Sequence, residues 1–94
     1  MQLVWSLDAI QDLVHIRAYI ADNNPAAAQK VAKRIEQVAD TLSKLPNIGK
    51  QGRVAGTREF AIDRTPYIAI YRIRGEQLEI LRVLHGRRQW PESE

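Results

Sequence analysis

Between Asn24 and Pro46 the chain reads NPAAAQKVAKRIEQVADTLSKLP, and the apolar spacing of this stretch constrains the fold more than any other feature. Val31, Ile35, Val38, Leu42 and Leu45 recur at offsets of 0, 4, 7, 11 and 14, one stripe along an α-helix. Ala28, Ala32 and Ala39 lie beside the stripe and let a neighbour approach closely. Asn24 is a good N-cap, and Pro25 suits the first helical position, where its missing N–H has no intrahelical partner to lose. Pro46 ends the run. The predicted helix, residues 25–45, is about 31 Å long at a rise of about 1.5 Å per residue. A helix with one such stripe has to lie on something.

A first helix precedes it. Gln2 to Trp5 is a short β-prone run, Ser6 is an N-cap, and Asp8 faces the positive end of the helix dipole. Ala9, Leu13, Ile16 and Ile20 form its apolar stripe, with Asp8, Asp12, His15 and Asp22 off it. Asp22-Asn23-Asn24 closes this helix, so the two helices form an antiparallel hairpin.

After Gly49 the helical period gives way to strands. Phe60 and Ile62 alternate with Glu59, Ala61 and Asp63, and Thr65-Pro66 ends that run. Tyr67 to Ile73 and Leu78 to Leu84 follow, separated by a turn at Gly75-Glu76. A two-residue turn there sets Arg72 opposite Glu79, Ile70 opposite Leu81 and Ile68 opposite Val83 on one face. On the other face it sets Tyr71 opposite Ile80 and Ala69 opposite Arg82. Both faces are partly apolar, so the helical hairpin covers one and the other is a concavity or an interface. The expected fold is α+β: an N-terminal strand, then an antiparallel helical hairpin packed on a mainly antiparallel sheet.

At 94 residues the chain is expected to be one domain, 1–94, without repeats or linkers, fraying only at Pro91 to Glu94. It has no cysteine, which removes disulfides, thiolate metal sites and cysteine nucleophiles. With no signal-like N-terminus and no run near the ~18 apolar residues of a membrane span, a cytoplasmic protein without membrane contact is expected. The net charge of +3 is uneven. Residues 1–48 carry five basic and five acidic side chains, whereas residues 49–94 carry nine basic, eight of them arginine, against six acidic. Such a cluster fits an acidic partner, since the arginine fork matches phosphate and carboxylate geometry. A solvated sheet edge is the plainer reading.

Three stretches together carry a family resemblance: VWSLDAIQDLVHIRAYI, the helical and loop segment NPAAAQKVAKRIEQVADTLSKLPNIGKQGRVAGTREF, and TPYIAIYRI followed by LEILRVLHGRRQW. The chain resembles the RelE/ParE superfamily of bacterial type II toxin-antitoxin toxins. That resemblance implies growth arrest, plasmid stabilisation and a bacterial cytoplasmic setting. It also implies neutralisation by a cognate antitoxin, through which alone the toxin reaches operator DNA. RelE-type members cut mRNA on the ribosome, whereas ParE-type members poison DNA gyrase.

Two features favour the ParE-like branch. RelE-like nucleases place an arginine where this sequence has Ile68, and a branched hydrocarbon neither moves a proton nor stabilises a phosphorane. VLHGRR followed by an aromatic residue is similar to the C-terminal strand of ParE-like toxins. The resemblance thus implies a non-catalytic inhibitor that binds gyrase through Arg82, His85, Arg87, Arg88 and Trp90, with Trp90 a rigid anchor. The alternative is a metal-independent, ribosome-dependent mRNA endonuclease built from Arg58, Arg82, His85 and Arg87, and a third reading is an inactive antitoxin-binding relative.

Plainer roles stand beside these. Trp90 also fits a core plug, and His85 a structural hydrogen-bonding residue at a strand end. Arg58 and Glu59 fit a salt bridge as well as an acid-base pair, and Tyr67 and Tyr71 fit packing beside Ala69 and Leu84. His15 belongs on the solvent side of its helix. GKQGRVAG, residues 49–56, lacks the order of a phosphate loop and precedes a strand, so its glycines suit a tight reversal, with Lys50 and Arg53 near a partner backbone. Two histidines 70 positions apart give no metal signature, and no cofactor is expected.

Overall fold

The computed structural model describes residues 1–91; the expected fraying of 92–94 falls outside the described residues. Strand β1, Gln2–Trp5, leads into helix α1, Leu7–Ala21, where the Ser6 hydroxyl accepts the Ala9 N–H at 3.0 Å. Helix α2 spans Pro25–Lys44, with the Asn24 side chain accepting from the Ala27 N–H at 3.1 Å. Both caps satisfy donors that a helix start leaves without intrahelical partners. Leu45, expected on the buried stripe, is instead the C-cap and 55% exposed, because Pro46 turns the chain away one residue later.

Four further strands follow: β2, Lys50–Gln51; β3, Arg58–Ala61; β4, Tyr67–Arg74; and β5, Gln77–His85. They form one sheet in the order β1-β5-β4-β3-β2. Only β1 and β5 run parallel; the other pairs are antiparallel. The two-residue strand β2 lies inside the glycine-rich stretch that reads as a loop. No helix among the described residues is long and apolar enough to cross a membrane.

The hairpin turn falls where expected, with Arg74 opposite Gln77 and Gly75 at a φ of 58°. Arg72 meets Glu79, with Nε 2.7 Å from the carboxylate, and Tyr71 meets Ile80. Beyond that point the register departs from the expected one. Ile70 faces Arg82, Ala69 faces Val83 and Ile68 faces Leu84, because Leu81 is an extra residue on β5.

The cause lies at the strand's outer edge. β1 ends opposite Ile80, so β5 loses its neighbour there and α1 takes over. Ser6 donates its backbone N–H to Ile80 at 2.9 Å and its hydroxyl to the Leu81 carbonyl at 2.7 Å. Asp12 accepts the Val83 N–H at 3.0 Å. A bulge re-aims the strand so that helix side chains can satisfy an edge no strand covers.

The shift changes which side chains share a face. Tyr67, Ala69, Tyr71, Leu78, Ile80 and Val83 join Ala9, Ile16, Ile35, Ala39 and Leu42 in the main core. Val83 therefore lies with Ala69 instead of Ile68, and Leu84 pairs with Ile68 instead of sharing the tyrosine face. Ile70 and Leu84, on the far side of the sheet, are buried too.

Candidate functional site

The far face of the sheet ends at the last turn of the described chain. Gly86 donates its N–H to the Pro66 carbonyl at 2.8 Å, and Arg88 donates its N–H to the His85 carbonyl at 2.9 Å, closing a turn over residues 85–88. His85, Arg87 and Arg88 are exposed on it and Trp90 is half-buried. The His85 ring meets Tyr67 edge-on, centroids 6.1 Å apart and planes at 79°. Its Nδ1 accepts the Arg87 N–H at 3.2 Å, so the ring's lone pair is engaged and Nε2 presents a donor.

Beside this turn lies an open cleft of about 360 Å³. Ile48, Phe60, Ala61 and Ile68 supply its apolar lining, Gly86 borders it, and Lys50 and Arg53 are its cations. Arg53 is turned inward on Glu59, which is only 5% exposed. The Glu59 carboxylate accepts the Arg53 backbone N–H at 2.8 Å, Nε at 3.1 Å and Nη2 at 3.2 Å. Burial alone would raise the Glu59 pKa, but the hydrogen bonds and charge of Arg53, with the charge of Lys50, outweigh it and hold the carboxyl below its usual range. The remaining Arg53 nitrogen, Nη1, donates to the Arg88 carbonyl at 3.0 Å. One guanidinium thus joins the loop before β3, the strand itself and the C-terminal turn.

The other two arginines singled out in the sequence point elsewhere. Arg58 does not pair with Glu59; its Nη1 donates to the Gly49 carbonyl at 2.8 Å and to that of Asn47 at 3.3 Å, fastening the connection after α2. Arg82 is held by Asp12 on α1, Nε to Oδ2 at 2.8 Å and Nη2 to Oδ1 at 2.9 Å. His85, Arg87 and Arg88 therefore share one turn, while Arg58 and Arg82 each anchor the fold. Tyr71 is buried; its hydroxyl donates to the Pro46 carbonyl at 2.7 Å and accepts the Gly49 N–H at 3.0 Å. Burial raises its pKa above the usual value, against the Gly49 hydrogen bond and the Arg58 charge, so it stays protonated at neutral pH. Among the described residues no group of three or more His, Cys, Asp or Glu could hold a metal ion.

A family model described as the ParE toxin of the type II toxin-antitoxin system parDE matches residues 3–90. The chain belongs to the ParE toxin family. This ParE-family toxin is 42% identical to the putative toxin Y4kP of Sinorhizobium fredii, over 94% of this chain and 91% of that protein. It is 36% identical to toxin RelE2 of Caulobacter vibrioides, over 93% and 97% of the two chains. Its fold matches a chain of the chromosomal ParDE toxin-antitoxin system from P. aeruginosa with a TM-score of 0.86, at 28% identity over 90% of this chain and 95% of that one. It is a type II toxin of the RelE/ParE superfamily, with the α+β architecture of that ParDE chain.

Two residues of this ParE-family site take roles that the sequence does not announce. Asp12 was expected off the apolar stripe, yet it is buried and paired with the half-buried Arg82. The signal was its spacing, three after Ala9 and four before Ile16, which puts it on the core side of the helix. Arg53, expected near a partner backbone, is turned instead onto Glu59 and the Arg88 carbonyl, the latter 35 residues away.

Proposed function

We propose that this toxin arrests growth by binding DNA gyrase with the turn 85–88 and Trp90, as a docking protein without chemistry of its own. The supporting observation is the cleft beside the turn. Ile68 lines it where a nuclease of the superfamily would project a guanidinium, and the Arg53 fork is spent on Glu59. His85 has its lone pair engaged by the Arg87 N–H, which suits a hydrogen-bond donor better than a general base. Arg87 and Arg88 bring exposed cationic side chains to a turn whose backbone is pinned by Pro66, His85 and Arg53, a preorganised surface for an acidic partner.

The toxin works in the bacterial cytoplasm and is neutralised by a cognate antitoxin, as membership of a toxin-antitoxin family implies. It reaches operator DNA only through that antitoxin. Arg82 contributes to target binding indirectly, by holding β5 in place beneath the turn.

Purified toxin added to a gyrase supercoiling assay, and separately to a translation reaction programmed with one mRNA, tests the reading. Inhibited supercoiling with intact mRNA is expected, and Arg87→Ala with Arg88→Ala should weaken inhibition by about tenfold or more. Ribosome-dependent cuts with gyrase unaffected would replace docking with RNA cleavage. No effect in either reaction would leave an antitoxin-binding module.

A further inference from the structure

Gly86 borders the cleft for no reason of its own backbone. Its φ is not in the left-handed region, unlike those of Gly56 and Gly75. A Cβ at this position would meet only the Pro66 carbonyl oxygen at 3.5 Å and Ile68 Cγ2 at 3.9 Å, ordinary van der Waals distances. Gly49 and Gly52 differ, since a Cβ there would collide with Tyr71 and Thr57. What glycine supplies at 86 is therefore the missing side chain itself, which leaves the cleft open where it meets the turn.

The cleft offers hydrocarbon walls and one net charge. Ile48, Phe60, Ala61 and Ile68 bring no hydrogen-bonding side chain to it. Arg53 and Glu59 cancel each other, with two guanidinium nitrogens on the carboxylate and the third on the Arg88 carbonyl. Lys50 is left, and it forms no ion pair among the described residues. A nucleic-acid strand fits this poorly, because it brings a charge with every phosphate and base edges that need hydrogen-bond partners. A volume of about 360 Å³ is near the small end of ligand pockets, which run roughly 300–1,000 Å³. An apolar side chain with one carboxylate beside it matches both the size and the charge.

We infer that the cleft receives an aliphatic side chain and its neighbouring carboxylate from the target protein, with Gly86 keeping the entrance open and Lys50 pairing the acid. This rests on the reading that the toxin docks on a protein through the turn 85–88. Gly86 belongs to both the turn and the cleft, and Arg53 reaches from the cleft to the Arg88 carbonyl, so the two form one continuous surface. The cleft is then the buried anchor of the interface, and Arg87 and Arg88 are its charged rim, which orients the partner more than it holds it.

The test uses the full toxin carrying Gly86→Leu, which fills the cleft, or Lys50→Gln, which removes its charge, with Arg74→Glu at the exposed end of the β4–β5 hairpin as a control. The added Cβ clears its neighbours and Lys50 is exposed, so all three should melt with the wild type. N-acetyl-leucine, an aliphatic side chain joined to one carboxylate, is the probe in an amide-shift titration. It should move the Phe60, Ile68 and Gly86 resonances of the wild type with millimolar affinity, as expected of so small a ligand. The neutral N-acetyl-leucinamide should bind several-fold more weakly, and Gly86→Leu should abolish the response. No shifts in the cleft up to about 10 mM would overturn the proposal. So would tighter binding there of thymidine 5′-monophosphate, which would make the occupant a nucleic acid. In the supercoiling assay Gly86→Leu should weaken inhibition by about tenfold or more and Lys50→Gln by several-fold, with Arg74→Glu unchanged. Full inhibition by Gly86→Leu would overturn the cleft and leave gyrase as the target. Binding of N-acetyl-leucine by a wild-type toxin that leaves gyrase untouched would remove the gyrase reading alone.

Discussion

Asp12 and Arg82 are locked together across 70 positions of sequence: Oδ2 takes Nε at 2.8 Å and Oδ1 takes Nη2 at 2.9 Å. The same carboxylate accepts the Val83 N–H at 3.0 Å. One side chain on α1 therefore pairs a half-buried cation and satisfies the edge of β5 at the bulge. Removing it takes a carboxylate from the guanidinium and an acceptor from the Val83 N–H. Asp12→Ala should destabilise the fold by about 3 kcal/mol in a denaturant titration, the scale for breaking one side of a buried ion pair. Asp12→Asn, which keeps an acceptor for Val83, should lose less. Equal losses would mean that the backbone contact contributes nothing.

Glu59 ties acid stability to the candidate site. Its folded pKa lies below the ordinary 4.5 because Arg53 and Lys50 outweigh its burial. Between the two values the unfolded chain binds more protons, so stability rises with pH there. The contribution is full above about pH 4.5 and is lost as pH falls through the folded value. Glu59→Gln should flatten the acid limb of a stability-versus-pH curve and lower stability at pH 7 by about 1.5–3 kcal/mol, the range for hydrogen bonds to charged groups. An unchanged acid limb would assign that limb to other carboxylates.

Tyr71 should act at the other end of the pH scale. Burial raises its folded pKa above the ordinary 10.0, so the folded state holds its proton longer. Stability from this group is complete below pH 10.0 and falls as pH rises from there through the folded value. Tyr71→Phe should blunt the alkaline limb, though not remove it, because burial also raises Tyr67, with the nearby Tyr19 adding to the effect. Gly49→Ala probes the same contact sterically. An added Cβ would sit 2.5 Å from the Tyr71 hydroxyl oxygen and 2.8 Å from a ring carbon, so Gly49→Ala should unfold at lower denaturant than the wild type, and adding Tyr71→Phe, which keeps the ring, should not restore wild-type stability.

The helices, the hairpin turn and the α+β layering were legible because each is written in local spacing: caps at Ser6 and Asn24, stripes at helical period, Gly75 in a two-residue turn. The register past Tyr71 was not. A bulge at Leu81 is set by where β1 ends and by Ser6 and Asp12, residues some 70 positions away, and nothing in VLHGRR announces it. The same holds for the site. His85, Arg87 and Arg88 form one turn because they are adjacent in sequence. Arg58 and Arg82 looked like members of that cluster by charge and were separated from it by partners that only the tertiary fold supplies, Gly49 for one and Asp12 for the other.

Arg53 decides whether the cationic turn is presented or merely attached. Its Nε and Nη2 are committed to Glu59 and its Nη1 to the Arg88 carbonyl, a three-way arrangement that needs a planar fork. Arg53→Lys keeps the charge and can meet Glu59, but one ammonium cannot span both partners. The turn should loosen while the fold stays intact. Amide exchange at Gly86 and Arg88 should quicken, with exchange in the core strands β4 and β5 unchanged. If the turn is the docking surface, inhibition of the target should weaken by several-fold, about 1 kcal/mol, as lost preorganisation. Arg53→Met, which removes the charge as well, should add a loss of stability from Glu59, left buried without its main partner. Unaltered exchange at the turn in Arg53→Lys would show that Pro66 and His85 hold it without the guanidinium, and would confine Arg53 to the Glu59 pair.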